Sequence, residues 1–305
     1  MANRFLNFSK YIAPVGLVLA IVFWASAYVG IRYAVVYLSP GVLGLLRYAV
    51  AAVVMGIVYL NLKEKTKFNL KEGLFIFFAG AVGIGVYNVA VNQGELTVPA
   101  GIACFIVTTM PVFASLAAVF IFKERMTKKG ILGLFLSLLG VLLIAISKES
   151  LSGQNVLSNL SNIWGRDHLA GIGFLLFAVL CAVFYSLMQK KLLKKFKPTE
   201  LTCLCIFSAF LIQLVFAPEA YLALKTAHVG LLVCVVFLGV FSGALAYLCF
   251  NLALSRFSVG QATTGLFAMP FFAMLLGWVV LGESVSWLGF LGGCLALSGP
   301  VLLRI

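Results

Sequence analysis

Residues 110–140 read MPVFASLAAVFIFKERMTKKGILGLFLSLLG, and residues 269–299 read MPFFAMLLGWVVLGESVSWLGFLGGCLALSG. Laid over one another at a constant offset of 159 residues, they align Pro111 with Pro270, Phe113 with Phe272, Glu124 with Glu283, Gly130 with Gly289, Gly133 with Gly292 and Gly140 with Gly299. The same offset pairs Asn92 with Asn251 and Gly101 with Gly260. Chance rarely aligns so many special residues without a gap, even in apolar sequence. Further upstream the match weakens, with Tyr28 facing Tyr185 and Pro40 facing Pro198 at slightly shorter offsets. The chain therefore reads as two copies of one unit, expected at 1–150 and 169–305, with an outer-side connecting loop at 151–168.

Each copy holds five apolar runs. Residues of the AVILMFWYC class fill 63% of 305 positions and only 10% are charged, more apolar surface than one soluble core can bury. A span needs about 20 mostly apolar residues. Ten such runs occur, at roughly 11–31, 41–60, 73–93, 98–122, 129–147, 169–189, 200–217, 229–252, 258–281 and 286–303, the one at 200–217 being the least distinct. The fold class is thus all-α: a polytopic membrane protein of ten transmembrane helices. The first run has a basic flank and an Ala25-Ser26-Ala27 stretch that resembles a signal cleavage site, but its apolar character continues through Gly30, so a retained helix is expected.

The net charge of +13 follows the same layout. With the N-terminus in the cytoplasm and ten alternating spans, the inner loops receive Arg4 and Lys10, Lys63 to Lys71, Lys123 to Lys129, Lys190 to Lys197, Arg256 and Arg304. That leaves only Arg32, Arg47, Lys148, Arg166 and Lys225 for the other side or the membrane, as the positive-inside rule requires. Both termini are expected on the cytoplasmic side of a cell membrane, a bacterial inner membrane in the absence of eukaryotic sorting signals. The clusters lack aromatic interleaving, so nucleic acid is not a partner. All seven cysteines lie in apolar runs without metal-ligand spacing, and no cofactor is implied.

Five spans is an odd number, so the second unit enters the bilayer with opposite polarity. Inverted repeats of this kind mark secondary transporters, whose halves exchange conformations around one central site. Several motifs carry a family resemblance: Phe23-Trp24-Ala25-Ser26-Ala27-Tyr28, Ser39-Pro40 with Leu46-Arg47-Tyr48, Gly94-Glu95 with Pro99-Ala100-Gly101, Met110-Pro111-Val112-Phe113 and Lys123-Glu124-Arg125-Met126. With their echoes at Met269 to Phe272, Leu281 to Ser284 and Gly292 to Gly299, the chain resembles the drug/metabolite transporter superfamily, most closely its EamA-type ten-helix carriers. The resemblance implies a 5+5 inverted repeat around a central cavity. It also implies export or exchange of amino acids, metabolites or amphiphilic drugs. Cys181 stands opposite Trp24, so the second unit departs from the pattern there.

Candidate substrate-binding residues are Trp24, Tyr28, Arg47, Tyr87, Asn88, Asn92, Thr108, Tyr185, Tyr247, Asn251 and Phe267, a mixture of aromatic faces and amides suited to amphiphilic solutes. Arg47, two turns into the second span, is expensive there unless it serves a pathway, an internal pair or a ligand. It is expected to hold a substrate carboxylate or to pair with Glu95. Pro111 and Pro270 are expected as mid-helix kinks used in gating, with Thr108 and Thr109 available to the freed carbonyls. Glu95 is read either as a gating or proton site or as an interfacial acid. Proton coupling stays open, and so does a homodimer, since the glycines of spans five and ten could serve contacts within or between protomers.

The histidines fall in loops, and no paired carboxylates or phosphate-cradling loop occurs, so the chain is not read as an enzyme. A membrane channel is one alternative; a nucleotide-sugar or metabolite antiporter of the same superfamily, which would need more cavity cations than Arg47, is another.

Overall fold

The computed structural model describes residues 2–98, 100–123, 127–145, 166–281, 287–298 and 302. Glu124, Glu283, Gly299 and most of the 151–168 loop lie outside the described residues. No strand occurs among them.

The described residues form ten helical units in chain order. They are α1 (Ala2–Ala34), α2 (Pro40–Leu60), α3 (Leu70–Glu95), α4 in two segments (Ala100–Val107 and Met110–Phe122) and α5 (Lys128–Ala145). The second unit supplies α6 (Arg166–Leu192), α7 (Pro198–Thr226), α8 (Val229–Arg256), α9 in two segments (Val259–Thr264 and Met269–Leu281) and α10 (Trp287–Ala296). Six of these, from α1 to α3 and from α6 to α8, contain stretches long and apolar enough to cross a membrane on their own. The run expected at 200–217 continues to Thr226 because a short 3-10 turn at Leu214–Phe216 precedes Pro218. The missing proline N–H then falls in the first turn of a new segment.

Packing follows the repeat. Helix α1 lies against α8 and α9, as α6 lies against α3 and α4; α2 crosses α8, as α7 crosses α3. The remaining main contacts between the units, α2 with α7, α4 with α9 and α5 with α10, join equivalent helices. Each unit's helices thus insert between those of the other. Lipid tails are as apolar as leucine, so helices associate in a bilayer by close packing and small residues rather than by expelling water. The glycines show this. A Cβ on Gly80 would collide with the Cys205 carbonyl, and one on Gly239 would stand 2.7 Å from the Arg47 carbonyl, the same contact made in each unit. At α5–α10 a Cβ on Gly140 would run into the backbone of Gly292 and Ala296, and Ser137 Oγ donates to the Ala296 carbonyl at 2.8 Å. This glycine contact therefore lies within one protomer. Large apolar side chains such as Val53, Leu60, Phe120, Phe135 and Val233 remain exposed around the bundle, a surface suited to lipid.

At one end of the bundle the basic loops meet. Glu200, fully buried in the first turn of α7, accepts from Thr66 N and Thr66 Oγ1, both at 2.7 Å. Lys195 pairs with Glu72 at 2.6 Å and Lys197 with Glu64 at 2.7 Å. The Lys197 bond holds the Glu64 carboxyl below its ordinary value and raises Lys197 in return. Lys190 Nζ donates to the carbonyls of Leu254 and Phe257 at the end of α8. Three basic loops therefore share a face, as odd-even alternation of spans demands.

Gly140→Leu should cost at least about 2 kcal/mol in detergent, because the backbone of α10 cannot yield as a side chain could. Gly173, with open space around its Cβ position, should accept alanine without loss. Thermal unfolding of both variants checks the contrast; equal melting temperatures would contradict the packing assigned to α5 and α10.

Candidate functional site

Among the described residues four departures from regular helix surround one chamber, while a fifth, the 3-10 turn of α7, lies away from it. In α3 a π-helical turn at Ala81–Val86 immediately precedes Tyr87 and Asn88; in α8 another at Leu238–Leu245 precedes Ala246 and Tyr247. The wider π turn rotates the side chains beyond it about the helix axis, a device frequent at functional sites. Asn88 and Tyr247 hold equivalent positions in the two units, and Asn88 Nδ2 lies 3.3 Å from Tyr247 Oη. The other two interruptions are the breaks in α4 and α9.

There the structure corrects the proline expectation. Pro111 and Pro270 are not mid-helix: α4 stops at Val107 and restarts at Met110, and α9 passes through a 3-10 turn at Gly265–Ala268 before Met269. Each proline is the second residue of a restarted segment, where its missing N–H costs little. Thr108 Oγ1 bonds back to the Cys104 carbonyl and Thr109 Oγ1 to that of Ile106 at 2.6 Å, each carbonyl also accepting from the same threonine's N–H.

The chamber has a cavity volume of about 90 Å³ and is lined by residues of both units. From the first unit it receives Trp24, Tyr28, Arg47, Tyr87, Asn88, Thr108 and Pro111; from the second, Tyr185 and Tyr247. These are nine of the expected residues brought together. Trp24 packs edge-on to Tyr247 at 5.2 Å between ring centroids and lies 5.4 Å from Phe250, while Tyr185 meets Tyr247 edge-on at 5.7 Å. Trp24 Nε1 also donates to the Ser242 carbonyl, at 3.2 Å, inside the α8 π turn.

Other expected residues stand elsewhere. Asn92 is fully buried and donates to the Pro40 carbonyl at 3.0 Å, fastening α3 to the start of α2. Asn251, its counterpart, donates to Thr202 Oγ1 at 2.8 Å, and Thr202 in turn donates to the Pro198 carbonyl at 2.7 Å. Both amides latch helices together outside the chamber lining, and Asn251 Nδ2 also donates to Oη of the wall residue Tyr185 at 3.1 Å. Phe267 packs with Ala296, Val112, Leu134 and Leu138 beneath the wall, and Pro270 is buried outside it. Glu95 closes α3, half-buried and within electrostatic reach of Tyr28, Tyr87 and Cys104, but it is not part of the lining. Arg47 turns to Asn88 rather than to Glu95: its Nη1 donates to Asn88 Oδ1 at 3.0 Å.

Asn88 is held on every side. Its Nδ2 donates to Tyr48 Oη at 2.7 Å and to the Ile84 carbonyl at 2.9 Å. A carbonyl can only accept, so the amide nitrogen faces Ile84 and the amide oxygen must face Arg47. Tyr48, fully buried, is a member of this network not singled out in the sequence. Nor were Ser186, Phe250, Val91 and the pairs Val107 with Leu266 and Met110 with Met269, all of which line the chamber. The repeat itself carries that signal, since Val91 with Phe250 and both of those pairs stand 159 residues apart.

The EamA-like transporter family model matches twice, over residues 12–146 and 169–305. The chain belongs to the EamA-like transporter family. It is 29% identical over 288 residues to a "Probable terminal-alkyne amino-acid exporter" of Streptantibioticus cattleyicolor, covering 94% of this chain and 92% of that protein. It is also 29% identical over 276 residues to "Uncharacterized transporter YdfC" of Bacillus subtilis, covering 90% and 85%. A crystal structure 14% identical in sequence superposes with a TM-score of 0.76 over 96% of this chain and 98% of the other, a likeness of fold. This EamA-family protein is a multi-pass membrane transporter of ten helices in an inverted repeat; its family and relatives are transporters, not enzymes.

Replacing Asn88 by leucine strands Arg47, a buried charge, and should cost this EamA-family protein about 2–3 kcal/mol. Tyr48→Phe removes one neutral hydroxyl and should cost about 1 kcal/mol. Chemical or thermal unfolding in detergent measures both, and an Asn88→Leu protein as stable as Tyr48→Phe would contradict the network.

Proposed function

We propose that the chain is a secondary transporter working by alternating access, exporting amino acids or related small metabolites from the cytoplasm. The observation that carries the reading is the chamber's position. It lies between two inversely related units, is walled by equivalent residues of both, and is bounded by paired π turns and paired helix breaks. Two near-equivalent halves can trade conformations at small energetic difference, which is what exposing one site to each face in turn requires. The relative named as an amino-acid exporter supports the substrate class.

In this reading the basic loops face the cytoplasm, together with both termini. Contacts between the units close each end. Thr66 with Glu200 and Glu64 with Lys197 lie at the basic end. Tyr33 Oη with His228 Nε2 at 2.8 Å lies at the other. Each exchange must release one set and keep the other. Pro111, at the restarted half of α4, supplies a hinge beside the solute; Pro270 does the same for α9 from behind the wall.

Reconstituted vesicles test this. Radiolabelled amino-acid efflux should saturate and should accelerate when unlabelled solute is placed on the far side; linear flux without that acceleration would indicate a channel. A disulfide between Thr66→Cys and Glu200→Cys, in a background with the native cysteines replaced, should lower flux about tenfold or more, since a locked gate cannot cycle. Reductant should restore it. Full flux through the crosslinked protein would rule out release of this contact as a step.

A further inference from the structure

The chamber is lopsided in charge. Among its described lining residues Arg47 is the one charged side chain, and the equivalent position of the second unit is Cys205. The arginine is 3% exposed, yet its guanidinium has one hydrogen bond, to Asn88, and beyond that only a contact 5.6 Å from the centre of the Tyr48 ring. Its Nε is buried without a partner, and neither ion pair among the described residues includes it. Guanidinium carries five N–H donors in a rigid fork and keeps its charge in proteins. A cation so buried without a counter-ion is costly, and such groups inside membranes usually face a pathway and a partner.

We propose that the missing counter-ion is the solute's own carboxylate, bound on the free edge of Arg47, with an apolar body against Trp24, Tyr185 and Phe250. The assignment deepens the carrier reading and rests on it. Asn88 is a positioning residue here. Its amide oxygen can only accept from Arg47, which turns the unfilled donors away from α3. One cation matches one negative charge; a phosphate dianion would bring a second charge into an aromatic wall with nothing to meet it. The aromatic faces alone would suit an organic cation, but Arg47 repels one. The site is therefore assigned to monocarboxylates, whether or not they carry an amino group, and against amphiphilic cationic drugs.

The experiment is ligand binding to the purified full chain, by calorimetry, with paired probes. These are leucine, phenylalanine, 4-methylpentanoate and 3-phenylpropionate, their methyl esters, and a phenethyl quaternary ammonium. Wild type should bind at least one carboxylate and favour it over its ester and over the ammonium by about tenfold or more, the loss expected for a charge-assisted bond. Arg47→Gln should erase that preference, and Arg47→Lys should keep part of it. Esters or the ammonium binding as tightly as the acids would overturn the assignment, as would absence of any carboxylate binding, or an Arg47→Gln protein that still prefers acids. Should Arg47→Gln fail to fold, the wild-type acid and ester comparison decides alone. Far-side acceleration of ester or ammonium flux would sink the carboxylate site and leave the carrier standing; carboxylate binding without accelerated flux would do the reverse.

Discussion

Within hydrocarbon a backbone N–H or C=O has no water to turn to, so every peptide group must be satisfied by the protein. That constraint makes ten helices the natural form of so apolar a chain, and it decides where helices can be irregular. Departures from i to i−4 bonding are tolerated only where protein or a polar cavity covers them. Here the two π turns and the two breaks gather at the chamber. Thr108 and Thr109 bond back into the first segment of α4, and Thr263 and Thr264 bond to Val259 and Gly260 before the 3-10 turn of α9. The cavity and these irregular stretches thus support each other.

Inverse repetition extends the same logic to packing. Because each helix of one unit contacts partners that recur in the other, the fold does not divide into two independent halves. Gly80 against Cys205 and Gly239 against Arg47 let backbones cross closely at equivalent points. A side chain at either glycine would separate an α7–α3 or α2–α8 crossing and move a π turn with it. Structural glycines and chamber geometry are therefore one problem, although neither Gly80 nor Gly239 lines the chamber.

Much of this was legible in the sequence. The offset of 159 residues, the ten apolar runs and the clustering of lysines reveal spans and repeat directly, because membrane insertion reads hydrophobicity and charge rather than tertiary detail. Trp24, Tyr28 and Tyr185 stood out in the sequence as polar-tipped aromatics within spans, and all three line the chamber. The π turns were not legible. A π turn changes the direction of later side chains by part of a turn, and the sequence marks it only with small residues such as Gly83, Gly85 and Gly243, which also serve close packing. That Asn92 and Asn251 stand outside the lining was not legible, for the complementary reason. An amide within an apolar run must find a partner, but composition does not say whether that partner is a solute or a neighbouring carbonyl. Pro111 and Pro270 likewise signalled an interruption correctly, while its form, a stop and restart rather than a kink, depends on the preceding threonines and on the 3-10 turn.

The divergence of the two units matters as much as their likeness. Asn88 faces Tyr247, Arg47 has Cys205 as its counterpart, and Trp24 has Cys181. Symmetric duplication of Arg47 would set two uncompensated cations around one small chamber, where low dielectric makes their repulsion severe. Keeping the charge in one unit and apolar bulk in the other gives the chamber a polar pole and an apolar pole. In the proposed cycle a solute held between them keeps one orientation while the halves exchange around it. On that reading equivalence is needed in the helices that move; at the wall, difference is what allows one end of a molecule to be told from the other.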